Sequence, residues 1–209
     1  MRKINKNRES REWTEYRLTP GVDYEAIPEL RSSLLEEQGY ICAYCMRRIP
    51  HKDENSTETS RIDHILSRDL HPNLKLSYNN MVICCPGAIN NDFHCDKLKA
   101  NNDITFNLFD DIFMKTLSYS SKDGEIKCSV TQYEDEINRM LNLNNPLLKR
   151  NRQLTLAAII IELGKKQWKA SEIRKLLICW DTKDTEGKYK PYNGIIIWYL
   201  NKKLKQIET

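Results

Sequence analysis

The sequence predicts an α+β fold: a small metal-stapled core of two strands and a helix, then a β-hairpin and a helical C-terminal subdomain. Three observations lead there. Cysteines cluster in two groups, Cys42-Ala-Tyr-Cys45 and Cys84-Cys85 through Cys95, on either side of short β-prone runs at 61–66 and 81–85. Residues 104–130 hold two further β-prone runs, IFMKTLSYS and EIKCSV, around a Lys122-Asp123-Gly124 turn signal. From about Tyr133 onward the apolar residues recur at helical spacing.

Composition bounds the function. With 209 residues the chain has room for one compact domain or two small ones. Charged residues make up 30% of it and no apolar run approaches the roughly 20 residues that cross a bilayer. Its first residues, MRKINKNRESREW, lack a signal-peptide apolar core, so a cytoplasmic protein with no membrane partner is expected. Seven cysteines in such a compartment favour metal binding over disulfides. A net charge of +4 permits nucleic-acid binding without requiring it.

Residues 1–30 read as an irregular N-terminal arm whose bases Arg2, Lys3, Lys6 and Arg8 are available to phosphates or to solvent. Residues 31–103 form the metal core. Leading into it, IPELRSSLLEEQ has Pro28 near its start, apolar Leu30, Leu34 and Leu35, and Gly39 as its stop, which spells an amphipathic helix. The polar run 50–60 and the Pro72 segment are loops, and RIDHIL and MVICC are strands. An insertion with Pro86 and Gly87 precedes a short helix in FHCDKLKANN. Residues 104–209 supply the hairpin and four helices: YEDEINRMLNL, LLKRNRQLTLAAIIIELGKK after the Asn145-Pro146 break, ASEIRKLLICW and NGIIIWYLNKKLKQ. The apolar face of the second is expected from Leu147, Leu154, Ala158 and Ile161.

A structural zinc takes four deprotonated ligands from two short pairs. Cys42 and Cys45 are one pair; the other comes from Cys84, Cys85 and Cys95, with His94 as a further donor. Cys128 and Cys179 stand alone in apolar segments, where core packing is expected of them, and His51 and His71 lie in polar loops as ordinary surface histidines.

Asp63-His64, then Asn80-Met81-Val82, then Cys95-Asp96-Lys97-Leu98-Lys99 resemble the pattern of HNH, or ββα-metal, nucleases in their zinc-stapled, treble-clef-like form. In that pattern a cysteine follows the asparagine by five positions. The resemblance therefore implies Cys85 and Cys95 as the second zinc pair, with Cys84 and His94 as alternatives. It departs from the pattern in the long Cys85-to-Cys95 insert and in Asp96, which stands where the last histidine is usual. It implies His64 as general base, Asp63 and Asp96 as ligands of a catalytic Mg²⁺ or Mn²⁺, and Asn80 as the residue that keeps His64 aimed. Residues 1 to about 152 are further similar to the HNH nuclease subunits, PtuB-like, of the Septu anti-phage system and retron-associated relatives. That implies DNA as substrate and a PtuA-like ATPase of the ABC or SMC type as partner, with self-association a further expectation for the helical half. Two other readings stand beside it: a stand-alone restriction-type HNH enzyme, and a non-catalytic zinc-ribbon binding module.

Overall fold

The computed structural model describes residues 1–49, 59–89 and 92–208, so His51 lies outside the described residues. The N-terminal residues are not an arm. Ser10 caps helix α1 (Arg11–Arg17) by accepting from the Trp13 amide at 3.2 Å. Met1, Ile4 and Trp13 are buried in the common core. Arg2, Lys3 and Lys6 pair with Asp181, Asp111 and Glu37, so these bases are already neutralised within the fold.

Helix α2 (Pro28–Glu37) begins with its proline and turns Leu30, Leu34 and Leu35 inward. Its end is a Schellman turn: the Tyr40 amide donates to Leu35 and the Gly39 amide to Glu36. Gly39 has φ +59°, and a Cβ there would lie 2.4 Å from the Tyr189 ring, so glycine is needed both for the turn and for the approach of the C-terminal half. The chain then doubles back through the Cys42–Cys45 knuckle, closed by the Ile41–Arg48 bridge and the Cys42 amide donating to Arg47.

Strands β1 (Arg61–His64) and β2 (Met81–Cys84) pair antiparallel, with Asp63 opposite Val82 and His64 opposite Met81. Two short 3₁₀ turns, Pro72–Leu74 and Tyr78–Asn80, lie in the loop between them. The insert folds as a small hairpin, β3 (Ala88–Ile89) with β4 (Asp92–Phe93), before the single-turn helix α3 (Asp96–Lys99).

The segment read as a hairpin divides differently. Asp110 accepts from the Ile112 and Phe113 amides and so starts helix α4 (Asp111–Thr116), leaving only β5 (Leu117–Tyr119) to pair with β6 (Ile126–Cys128). A cap satisfying two orphan amides outweighs the β-prone character of Ile112 and Phe113. Next come α5 (Thr131–Asp135), running into one π-helical turn over 136–140, then α6 (Pro146–Lys165), α7 (Ala170–Asp181) and α8 (Asn193–Glu208).

The face expected of α6 is reversed. Leu147, Leu154, Ala158 and Ile161 are exposed, while Leu148, Arg152, Leu156, Ile159 and Leu163 are buried. Apolar residues surround this helix, so their spacing does not single out a side; Arg152 does. It is fully buried and donates to the carbonyls of Gly124 and Leu143 and to Asn144 Oδ1, locking α6 onto the β5–β6 turn. Cys128 is buried as expected, but Cys179 is exposed on α7 beside Lys190. One apolar cluster runs from Met1 through the cysteine region to Leu200, so the two halves share a core. Among the described residues, no helix is long and apolar enough to cross a membrane.

Candidate metal centre and active site

The Cys42–Cys45 knuckle and the Cys85 and Cys95 ends of the insert converge in the core. The four Sγ atoms lie within 4.8 Å of one another and all four residues are buried. Cys42 and Cys95 are 3.8 Å apart and Cys45 and Cys85 3.7 Å. A tetrahedron of ~2.3 Å Zn–S bonds has edges of about 3.8 Å, so the thiols already stand at the spacing of a structural zinc site. Against burial, which pushes it up, hydrogen bonds from Cys45, Cys84, Cys85 and Cys95 hold the Cys42 thiol well below the ordinary range. Against the Cys42 bond, which raises it, bonds from Cys45 and Cys95 bring the Cys85 thiol down to about 7, whereas burial pushes the Cys45 and Cys95 thiols well up, so the protons are shared unevenly within the cluster. These four cysteines could hold a metal ion such as zinc.

The fold accounts for the wide Cys85–Cys95 spacing. The His94 amide donates to Gly87 at 2.8 Å, closing the insert, and the Cys95 amide donates to Leu141 at 2.8 Å. A Cβ at Gly87 would meet the His94 carbonyl at 2.6 Å, so this closure needs glycine. The alternatives fall at the rim. Cys84 is buried without joining the group of four. His94 is fully buried, with Nδ1 3.2 Å from Cys95 Sγ and 3.9 Å from Cys85 Sγ.

Successive strand residues face opposite ways, so β1 sends Asp63 and His64 to different sides. Asp63 points inward: Lys99 Nζ, itself 1% exposed, donates to Oδ1 at 2.9 Å, and the Tyr44 hydroxyl donates to Oδ2. Burial pushes the Asp63 carboxyl up to about 7, with Lys99 opposing the rise and Asp96 adding to it. Lys99 also donates to the His64 carbonyl at 2.7 Å, so α3 clamps the end of β1. His64 packs on the other side. Its Nε2 lies 2.9 Å from the Lys75 carbonyl, which only accepts, so Nε2 carries the proton and Nδ1 keeps the lone pair. Burial pushes the imidazole down to about 4, leaving it uncharged at neutral pH.

Asn80 spans the β1–β2 loop. Its Oδ1 accepts from the Leu66 amide and its Nδ2 donates to the Leu66 carbonyl, both at 2.9 Å. This fixes the chain two residues past His64. Asp96, at the start of α3, is paired with Arg61 at 2.5 Å. Its charge adds to the rise of the Asp63 carboxyl and slightly opposes the fall of the His64 imidazole. Asp63 and Asp96 do not join a third ligand in a second metal-type cluster among the described residues.

Several residues around the site escaped the sequence reading. Tyr44 lies between the knuckle cysteines and reaches Asp63. Buried Gln38 donates to the Ile41 and Ile83 carbonyls and accepts from the Ile83 amide, joining the knuckle to β2. His71, partly exposed in its loop, pairs with Asp103 at 2.8 Å, and Asp103 also accepts from the Ser67 amide. Only Tyr44, inside the C-x-x-C, carried a positional signal. No protein-family model matches the chain, and no curated protein matches it.

Proposed function

We propose that the protein is a metal-dependent endonuclease of the HNH type that hydrolyses DNA phosphodiester bonds. The observation supporting this best is the strand pair and following helix, tied by the Arg61–Asp96 and Lys99–Asp63 bonds, that carry Asp63, His64 and Asp96 on elements adjoining the four-cysteine cluster. His64 is uncharged, and its Nδ1 is the atom left to take a proton from water. Asn80 holds the loop behind it. Asp96 and Asp63 would hold a Mg²⁺ or Mn²⁺. Arg61, only partly buried, is the counterion such an ion would displace from Asp96, and each Asp63 oxygen keeps a second lone pair beyond its present bond. When bound, such an ion stabilises charge on the scissile phosphate and the leaving oxygen.

By its resemblance to Septu nuclease subunits, the protein works with an ABC or SMC-type ATPase in anti-phage defence. The exposed stripe of Leu147, Leu154, Ala158 and Ile161 on α6 suits it to a protein partner. A second reading, a non-catalytic zinc module, draws on the burial of Asp63 and on its bonds to Lys99 and Tyr44. Plasmid nicking with Mg²⁺ or Mn²⁺ decides between them. Cleavage by the native protein and none by His64→Asn is expected; equal nicking by both would remove His64 from the chemistry.

A further inference from the structure

Tyr24, in the loop between α1 and α2, stands at the centre of a stack that reaches from the core to the surface. Its ring meets the His64 imidazole edge-on at 4.6 Å and 82°. Behind it lies Trp13, fully buried, at 6.4 Å. Over it lies Arg68, whose guanidinium carbon is 4.6 Å from the ring centroid. The guanidinium is thus no farther from the His64 ring than the sum of those two 4.6 Å separations.

Arg68 is exposed and makes no ion pair among the described residues. The nearby Asp23 carboxylate is occupied by Lys75 at 2.7 Å. A guanidinium over an aromatic ring uses its charge there and leaves N–H donors for another acceptor, and their fork fits the two oxygens of a phosphate. The backbone beneath Arg68 is also fixed. Leu66 is bonded twice by Asn80, and the Ser67 amide donates to Asp103 at 2.7 Å. A cation that is preset and otherwise unpaired loses little freedom when it engages a ligand.

We propose that Arg68, held over the Tyr24 ring, grips a backbone phosphate of the nucleic-acid substrate beside His64. The assignment rests on the nuclease reading above. Arg68 is then a substrate-binding residue and Tyr24 a positioning residue, and the N-terminal segment forms one wall of the site.

The test is the affinity of a fluorescent DNA duplex for the full-length protein, measured by anisotropy across a salt series without added Mg²⁺ or Mn²⁺. Arg68→Ala should weaken binding roughly ten- to hundredfold and lower the salt slope by about one. Tyr24→Phe keeps the ring and should bind like the native protein. Tyr24→Leu should lose the same unit of slope, and adding Arg68→Ala to it should change nothing further. Arg68 is exposed, so its variant is expected to fold. Native affinity and slope in Arg68→Ala would overturn the proposal, and cleavage that still depends on His64 would leave the nuclease reading standing. Arg68-dependent binding with no cleavage under either metal would support the phosphate contact and sink the nuclease. Failure of the native protein to bind the duplex would overturn both.

Discussion

Cys45→Ser tests the four-cysteine cluster most directly. Cys45 is 0% exposed and its Sγ lies 3.7 Å from that of Cys85. A serine hydroxyl stays protonated at neutral pH, so the substitution removes one of four anionic donors. Structural zinc binding is worth about 10–16 kcal/mol at pH 7, so one ligand in four corresponds to roughly 2.5–4 kcal/mol. For a chain of this size that is a fall in melting temperature of about 5–16 °C. Removing all the zinc with a chelator takes away about as much as the whole net stability of a typical domain, ~5–15 kcal/mol, and should unfold the protein. The assay pairs elemental analysis with thermal unfolding. Native protein should carry one zinc per chain, Cys45→Ser less than one and a lowered midpoint, and Cys84→Ala one zinc still. Zinc-free native protein that melts cooperatively would refute the reasoning, as would a Cys45→Ser variant with full zinc and an unshifted midpoint.

His64→Asn should abolish nicking while keeping zinc content native, because His64 is not among the four clustered cysteines; the shorter amide gives up the Nε2 bond to the Lys75 carbonyl and, with His64 only 5% exposed, a drop of a few degrees in melting temperature is also expected. Arg152→Met should cost about 2–4 kcal/mol in urea unfolding, since it strands the Gly124 and Leu143 carbonyls around a fully buried position, while Asn144 Oδ1 keeps the Ile126 amide; a loss below 1 kcal/mol would contradict the anchoring role. Leu154→Lys with Ile161→Lys changes only exposed positions, so stability should stay within about 0.5 kcal/mol while co-purification with the proposed ATPase is lost. Undiminished co-purification would place docking elsewhere.

The stretches legible in the sequence were those whose signal is local. Pro28 and Gly39 bracket α2 because a proline needs no amide partner at a helix start and a glycine adopts φ +59° without strain. The Asp63-His64 strand, the Met81–Cys84 strand and the Asp96–Lys99 helix were legible because alternation and short turn-bounded length are written in adjacent residues. The Cys42–Cys45 knuckle was legible by its spacing. Cys85 and Cys95 needed the HNH pattern to choose them, since Cys84 and His94 offered the same chemistry one residue away.

What the sequence by itself determined, then, is the order of elements around the cysteines and the kinds of donor they carry. Which side each residue faces was decided only by tertiary packing. The α6 face reversed because apolar residues on all sides leave the choice to Arg152, whose acceptors lie 28 and 9 residues away in the chain. The N-terminal segment became a wall of the candidate site because burying Trp13 carries Tyr24 onto His64, a contact across 40 positions that no local pattern encodes. Asp63, expected from the sequence as a metal ligand, lies as a buried carboxylate between Tyr44 and Lys99. Its chemistry follows from residue type, but its exposure, its partners and its raised proton affinity come from elements that meet only when the chain has folded.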